Sequence, residues 1–122
     1  MALPVPRPIS EITVSAYLAD ISTASSAFTV APCRGRIVRA FSTIYAAITG
    51  ADANWTLEIN GTAVTGIAVV VANSGSAAGD IDTGVPTASN NVVNEGDTIE
   101  FVSDGASSTT SPATFVAVIE RD

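Results

Sequence analysis

The sequence has no histidine and no lysine, and its single cysteine is Cys33. Without histidine, the Ser-His-Asp triad and imidazole metal sites are excluded, and a lone thiol forms neither a redox pair nor an internal disulfide. Cys33 sits between Pro32 and Arg34, and nearby positive charge favours a thiolate. A nucleophile with no base beside it is seldom competent, so Cys33 reads as a packing or loop residue. Charged residues make up only 14% of the chain, well below the quarter or so usual in soluble domains, which points to a surface that is largely covered. Twelve acidic against five basic residues leave a net charge of −7, which argues against partners rich in phosphate, so neither nucleic acid nor membrane is expected. The longest apolar run, Ile67 to Ala72, is far too short to cross a bilayer as a helix. Prolines at 4, 6 and 8 interrupt what a secretory signal would keep apolar, so synthesis in a reducing cytoplasm is the expectation.

The 122 residues, 47% of them hydrophobic, fit one domain able to bury a core without a metal or disulfide staple. Residues 1–9 form a separate part. Their alternate prolines fix φ and remove backbone donors, favouring an extended arm that spans roughly 25 Å in a polyproline conformation. The domain proper is expected over residues 10–122. Ile12, Val14, Ala16 and Leu18 alternate with polar or small neighbours, the two-residue period of a half-buried strand. Further strands are expected at Ala27 to Val30, Gly35 to Ala46, Asp97 to Ser103 and Ala113 to Glu120, with a short one near Ile81. Trp55, Leu57 and Ile59 share a face and lead into Asn60-Gly61, the signature of a type I′ hairpin in which Ile59 would face Thr62 and Leu57 would face Val64. The last strand is apolar on both sides: Phe115, Ala117 and Ile119 on one, Val116 and Val118 on the other. Its second face calls for cover by another sheet or another subunit, which motivates a homotrimer. No segment carries a sustained 3.6-residue period with caps. The fold class expected is all-β: an antiparallel β-sandwich of jelly-roll type with an extended N-terminal arm.

Candidate sites are sparse. Asp80 and Asp82, with Glu95 and Asp97, could hold calcium if their loops met, but short acidic loop residues more often form turns. Two carboxylates alone do not make a glycosidase in a chain this small with one tryptophan. Trp55, Tyr17 and Tyr45 could stack on sugar rings, although the face Trp55 shares with Leu57 and Ile59 assigns it to the core. No cofactor is expected. Arg34, Arg36 and Arg39 concentrate three of the five basic residues within six positions. They could dock an acidic partner or pair with the domain's own surplus carboxylates. Pro4, Pro6, Arg7 and Pro8 of the arm complete the candidate partner-binding set.

Val93 to Phe101, a Gly-Asp turn launching a strand, and the closing Thr114 to Ile119 resemble the C-terminal end of jelly-roll trimers. Ala16 to Val30, Ala31 to Val38, Ile59 to Gly66 and Ala77 to Asp82 resemble small head decoration, or cement, proteins of tailed bacteriophages. The resemblance covers most of the chain beyond the arm and rests on turn motifs. It implies a non-catalytic virion protein on the outer capsid surface, binding the major capsid protein as a trimer and reinforcing the shell. No contact residue carries over from the family. The rival expectation is a carbohydrate-binding or adhesive jelly-roll module, such as a fibre tip or lectin.

Overall fold

The computed structural model describes residues 10–122; the candidate residues Pro4, Pro6, Arg7 and Pro8 lie outside them. Nine strands form: β1 (Glu11–Leu18), β2 (Ser25–Val30), β3 (Gly35–Ile44), β4 (Ala53–Ile59), β5 (Thr62–Val71), β6 (Ile81–Gly84), β7 (Val92–Val93), β8 (Thr98–Ser103) and β9 (Ala113–Arg121). Sheet I has the order β1-β9-β3-β6, with β7 also on β3, and sheet II the order β2-β8-β4-β5. All pairs are antiparallel.

The pairings are nested: β4 with β5, β3 with β6, β2 with β8, β1 with β9. The chain is therefore one long hairpin rolled up so that successive pairs fall in alternate sheets, which is a jelly roll. Its tip is the Asn60-Gly61 turn, where φ is +49° and +85°, as a type I′ turn demands. Ile59 pairs with Thr62 as expected. Leu57 does not pair with Val64: Glu58 pairs with Ala63 and Thr56 with Ala68, so Val64 to Ile67 stand opposite Leu57 alone. This bulge buries both Val64 and Ile67 and turns the intervening backbone outward. There Thr65 N donates to Asn90 Oδ1 (3.1 Å), Asn90 Nδ2 to Ala63 O (3.0 Å) and Thr87 N to Thr65 O (2.9 Å). Hydrophobic burial decided the register, and the connection after β6 satisfies the polar groups left over.

Between the sheets lies an aromatic centre. Trp55 and Phe101 project from sheet II and Phe115 from sheet I, with centroids 5.0–6.0 Å apart. All three are buried, and the indole Nε1 donates to the buried Ser42 Oγ at 3.0 Å. Trp55 is a core residue and not a sugar platform.

Carboxylates organise the turns. Asp20 accepts from Ser22 N and Oγ, from Thr23 Oγ1 and from Ser111 N. Asp97 accepts from Asn94 N, and Asp104 from Asn54 N and Nδ2 and from Ala106 N. Hydrogen bonds from Ser22 hold Asp20 below the usual carboxylate range, and the Asn94 amide does the same for Asp97. Burial pushes Asp104 up, but the bonds from Asn54 and Ala106 outweigh it. Asp82 goes the other way, raised by burial and then by the charge of Asp80. The depressed groups stabilise the fold above their unfolded pKa, near 4, and that contribution disappears as pH falls through their lower folded values. Protonation of Asp82 relieves a cost instead. With three groups against one, the urea midpoint is expected to hold from pH 7 to about 5 and to fall below about pH 4. A midpoint that rises on acidification to pH 3 would refute this assignment.

Candidate functional site

The outer face of sheet I is the candidate site, and a bulge in β3 shapes it. Gly35 and Ile37 face the core, and strict alternation would then aim Arg39 inward and Ala40 outward. Between Ile37 and Arg39 the register to β9 shifts, and the extra residue, Val38, inverts the phase. Arg39 consequently faces solvent, while Ala40, Ser42 and Ile44 are buried. Phe41 and Thr43 are swung outward with Arg39.

Four cross-strand rows result. Glu11, Glu120, Arg36 and Val92 form the first, then Thr13, Val118 and Arg39, then Ser15, Val116, Phe41 and Thr83, and last Tyr17, Thr114, Thr43 and Ile81. The first two rows are the charged half. Arg36 Nη2 pairs with Glu120 Oε1 at 3.1 Å, Arg39 Nη2 with Glu11 Oε1 at 3.1 Å, and Arg34 Nε, just before β3, with Asp122 Oδ2 at 2.8 Å. The structure thus gathers Arg34, Arg36 and Arg39 at one end of sheet I and gives each a carboxylate of its own domain.

The Arg39–Glu11 pair runs from β3 to β1, across β9, and both guanidinium Nη atoms take part. The pair spans the row of Val118, which is only 4% exposed. This corrects one expectation about β9: Val118 needs no neighbouring subunit to bury it, and only the Val116 end of the second face is open. Arg39→Ala is expected to lower stability by no more than about 1 kcal/mol, as usual for exposed ion pairs. Chemical denaturation would measure it, and a loss above about 2 kcal/mol would mean that the pair is more than a surface bridge.

The other two rows are apolar. Phe41, Thr43, Ile81, Thr114 and Val116 line an open groove of about 250 Å³ that presents almost no polar atoms. Ile81 is 68% exposed. At its edge, exposed Tyr17 and Tyr45 meet edge-to-face at 5.9 Å, and the Tyr45 hydroxyl is 2.7 Å from Thr114 Oγ1. Sequence reasoning found the outward valines of β9 but missed Phe41 and Ile81. Their signal was the apolar second face of β9; their grouping depends on the β3 bulge and on β6 pairing with β3.

Elsewhere the surface is acidic. The four arginines among the described residues, 34, 36, 39 and 121, all lie at the charged end of sheet I. On sheet II, Glu58 and Glu100 stand directly opposite one another, with exposed Phe28 opposite Glu100 on the neighbouring strand. Asp80 and Asp97 accept from the amides of Ala77 and Asn94, both at 2.8 Å, which is turn chemistry. Among the described residues, no three Asp, Glu, His or Cys side chains gather as a metal site would need. Cys33 is a free, half-buried thiol in the β2–β3 connection.

Among known proteins, no family model and no curated protein matches the chain. Solved structures do match. In fold the chain is similar, over its whole length, to a phage capsid chain. That chain belongs to the Cyanophage Pam1 capsid asymmetric unit, with TM-score 0.55 and 16% identity, and the match covers 100% of this chain and 94% of the other. The CBM35 from Cellvibrio japonicus Abf62 matches with TM-score 0.50 and 17% identity over 84% of this chain and 74% of that one. The catalytic unit of a thermostable GH87 α-1,3-glucanase from Streptomyces thermodiastaticus strain HF3-3 matches with TM-score 0.52 and 14% identity over 92% of this chain. This chain spans only 26% of that catalytic unit. At such identities the likeness is one of fold.

Proposed function

We propose that the chain is a non-catalytic structural protein of a phage virion that binds the outer surface of the capsid, through the major capsid protein, as a homotrimer that reinforces the shell. The observation that carries this reading is the reciprocal, whole-length likeness to a chain of a phage capsid unit; the glucanase likeness concerns a small part of a larger enzyme. A low density of charge and an open apolar groove suit a subunit whose surface is completed by neighbours. Within this proposal Arg34, Arg36 and Arg39 form the electrostatic edge of the contact, together with Pro4, Pro6, Arg7 and Pro8 of the arm. Each of the three arginines has a carboxylate already, so docking on an acidic shell surface would exchange one partner for another.

Adding the protein to undecorated, assembled capsids of the phage and imaging them tests the proposal directly. Ordered density at regular lattice positions is expected, and light scattering of the free protein should give about three times 12.3 kDa. Arg34→Glu with Arg36→Glu should reduce capsid occupancy several-fold while shifting stability by less than about 1 kcal/mol. Bare capsids after incubation would count against the shell. The second reading, a carbohydrate-binding module, is favoured by the exposed Tyr17–Tyr45 pair and by the CBM35 likeness. It predicts retention on a polysaccharide column that is lost in Tyr17→Ala with Tyr45→Ala.

A further inference from the structure

The apolar groove of sheet I and the proline arm account for one another. We propose that residues 1–9 of one copy dock in the groove formed by Phe41, Ile81 and Val116 of a second copy. The inference deepens the self-association proposed above and does not depend on the shell.

Three features argue for this occupant. The arm alternates prolines with Leu3, Val5, Arg7 and Ile9, so in a polyproline conformation it offers apolar groups with little conformational entropy left to lose. Grooves that take such segments are shallow, apolar and edged by aromatic side chains. This one has Phe41 in its floor and Tyr17 and Tyr45 at its edge. The groove also has almost no polar atoms, which suits a segment whose three prolines have no N–H to satisfy.

The place where the arm leaves the domain decides whose groove it reaches. Arg121 N donates to Ser10 O at 2.7 Å, which fixes the exit at the charged end of sheet I. The groove begins at the row of Ser15, five residues further along β1, or about 17 Å at the rise of a strand. An arm that doubled back over its own sheet would spend most of its reach of roughly 25 Å on that distance. It would also lay its prolines over the Arg36–Glu120 and Arg39–Glu11 pairs, leaving only Met1 to Leu3 for the groove. An arm that continues outward needs no reversal and keeps its whole length for a neighbour. One arm and one groove per copy make a head-to-tail contact, which closes into a ring when the rotation permits.

Disulfide trapping in the full chain, in a Cys33→Ser background, tests the contact. Val5→Cys and Ile81→Cys variants, mixed and mildly oxidised, should give a covalent heterodimer about tenfold faster than Val5→Cys mixed with Val70→Cys. Val70 is an exposed residue of sheet II, so that pair measures random collision. Equal rates for the two mixtures would overturn the proposal. So would concentration-independent closure within single molecules of the double variant Leu3→Cys with Val116→Cys, the pair that a doubled-back arm would bring together, because the arm would then fill its own groove. Ile81→Asp, at an exposed position, should keep the dichroism spectrum and raise the midpoint concentration of association at least tenfold in sedimentation. An unchanged midpoint would sink the arm-in-groove contact and leave the trimer standing, whereas a wild-type protein that sediments only as a monomer would sink the self-association itself.

Discussion

Truncating Trp55 to alanine is expected to cost about 3–5 kcal/mol, a large part of the whole stability of a domain this size. The indole is the meeting point of the two sheets: its ring lies 5.1 Å from Phe115 of sheet I and 6.0 Å from Phe101 beside it on sheet II. Removing it forfeits transfer energy and leaves a cavity that strands on both sides cannot collapse to fill. The substitution also strips Ser42 Oγ of its partner in a dry interior, at about 1–3 kcal/mol for an unsatisfied buried polar group. Urea unfolding followed by far-ultraviolet dichroism measures the loss. Trp55→Phe separates its parts, keeping most of the ring while losing the hydrogen bond. Ser42→Ala should cost about 1–3 kcal/mol in the wild type and much less in Trp55→Phe, where no indole N–H remains to be orphaned. A loss below about 2 kcal/mol for Trp55→Ala would show that the sheets close over the gap.

Gly35→Ala should be nearly as damaging, for a different reason. A Cβ at this first residue of β3 would stand 2.2 Å from the carbonyl oxygen of Glu120 and 2.9 Å from Ile119 Cγ2. The φ angle is not in the left-handed region, so the cost is steric and falls on the backbone of β9, which cannot rotate away as a side chain could. To relieve it β3 and β9 must part at the end where Arg36 meets Glu120, and the expected loss is about 2–3 kcal/mol or more. Hydrogen exchange would localise it: the Asp122 amide, which donates to Arg34 O, should lose protection while the Arg121 amide, held by Ser10 O on the other side of β9, and the Trp55 region keep it. Uniform protection in the variant would mean that the strands absorb the methyl group without parting.

How much of this molecule can be read from its sequence depends on how local each determinant is. The Asn60-Gly61 turn is legible because its chemistry is complete in two residues, and the strands around Trp55, Ile99 and Phe115 because alternation is a local pattern. The Leu57–Val64 pairing failed because it extended the register from the turn, whereas burial of both Val64 and Ile67 requires the bulge between them. The arginine cluster is visible as a count, but Glu11, Glu120 and Asp122 come from the chain's two ends, so their pairing appears only once β1 and β9 lie beside β3. The groove was least legible. Phe41 reaches the surface only through the phase change at Val38, and Ile81 joins it through a four-residue strand at the end of a long connection.

The nesting of the strands has a consequence for how the protein is made. β9 is synthesised after the other eight described strands, yet it occupies an interior position in sheet I, between β1 and β3. Until it arrives, those two strands have no hydrogen-bonded neighbour in common, and Ile37 and the half-buried Ile12 and Val14 lack Ala117 and Ile119 beside them. Chain growth at about 5–20 residues per second leaves β1 waiting for several seconds before its partner exists. The apolar inner edges are open throughout that interval. The same order makes most contacts distant in sequence, which places such a fold among the slower small domains. During that wait the protein is vulnerable to the strand pairing between nascent chains that its finished sheets prevent.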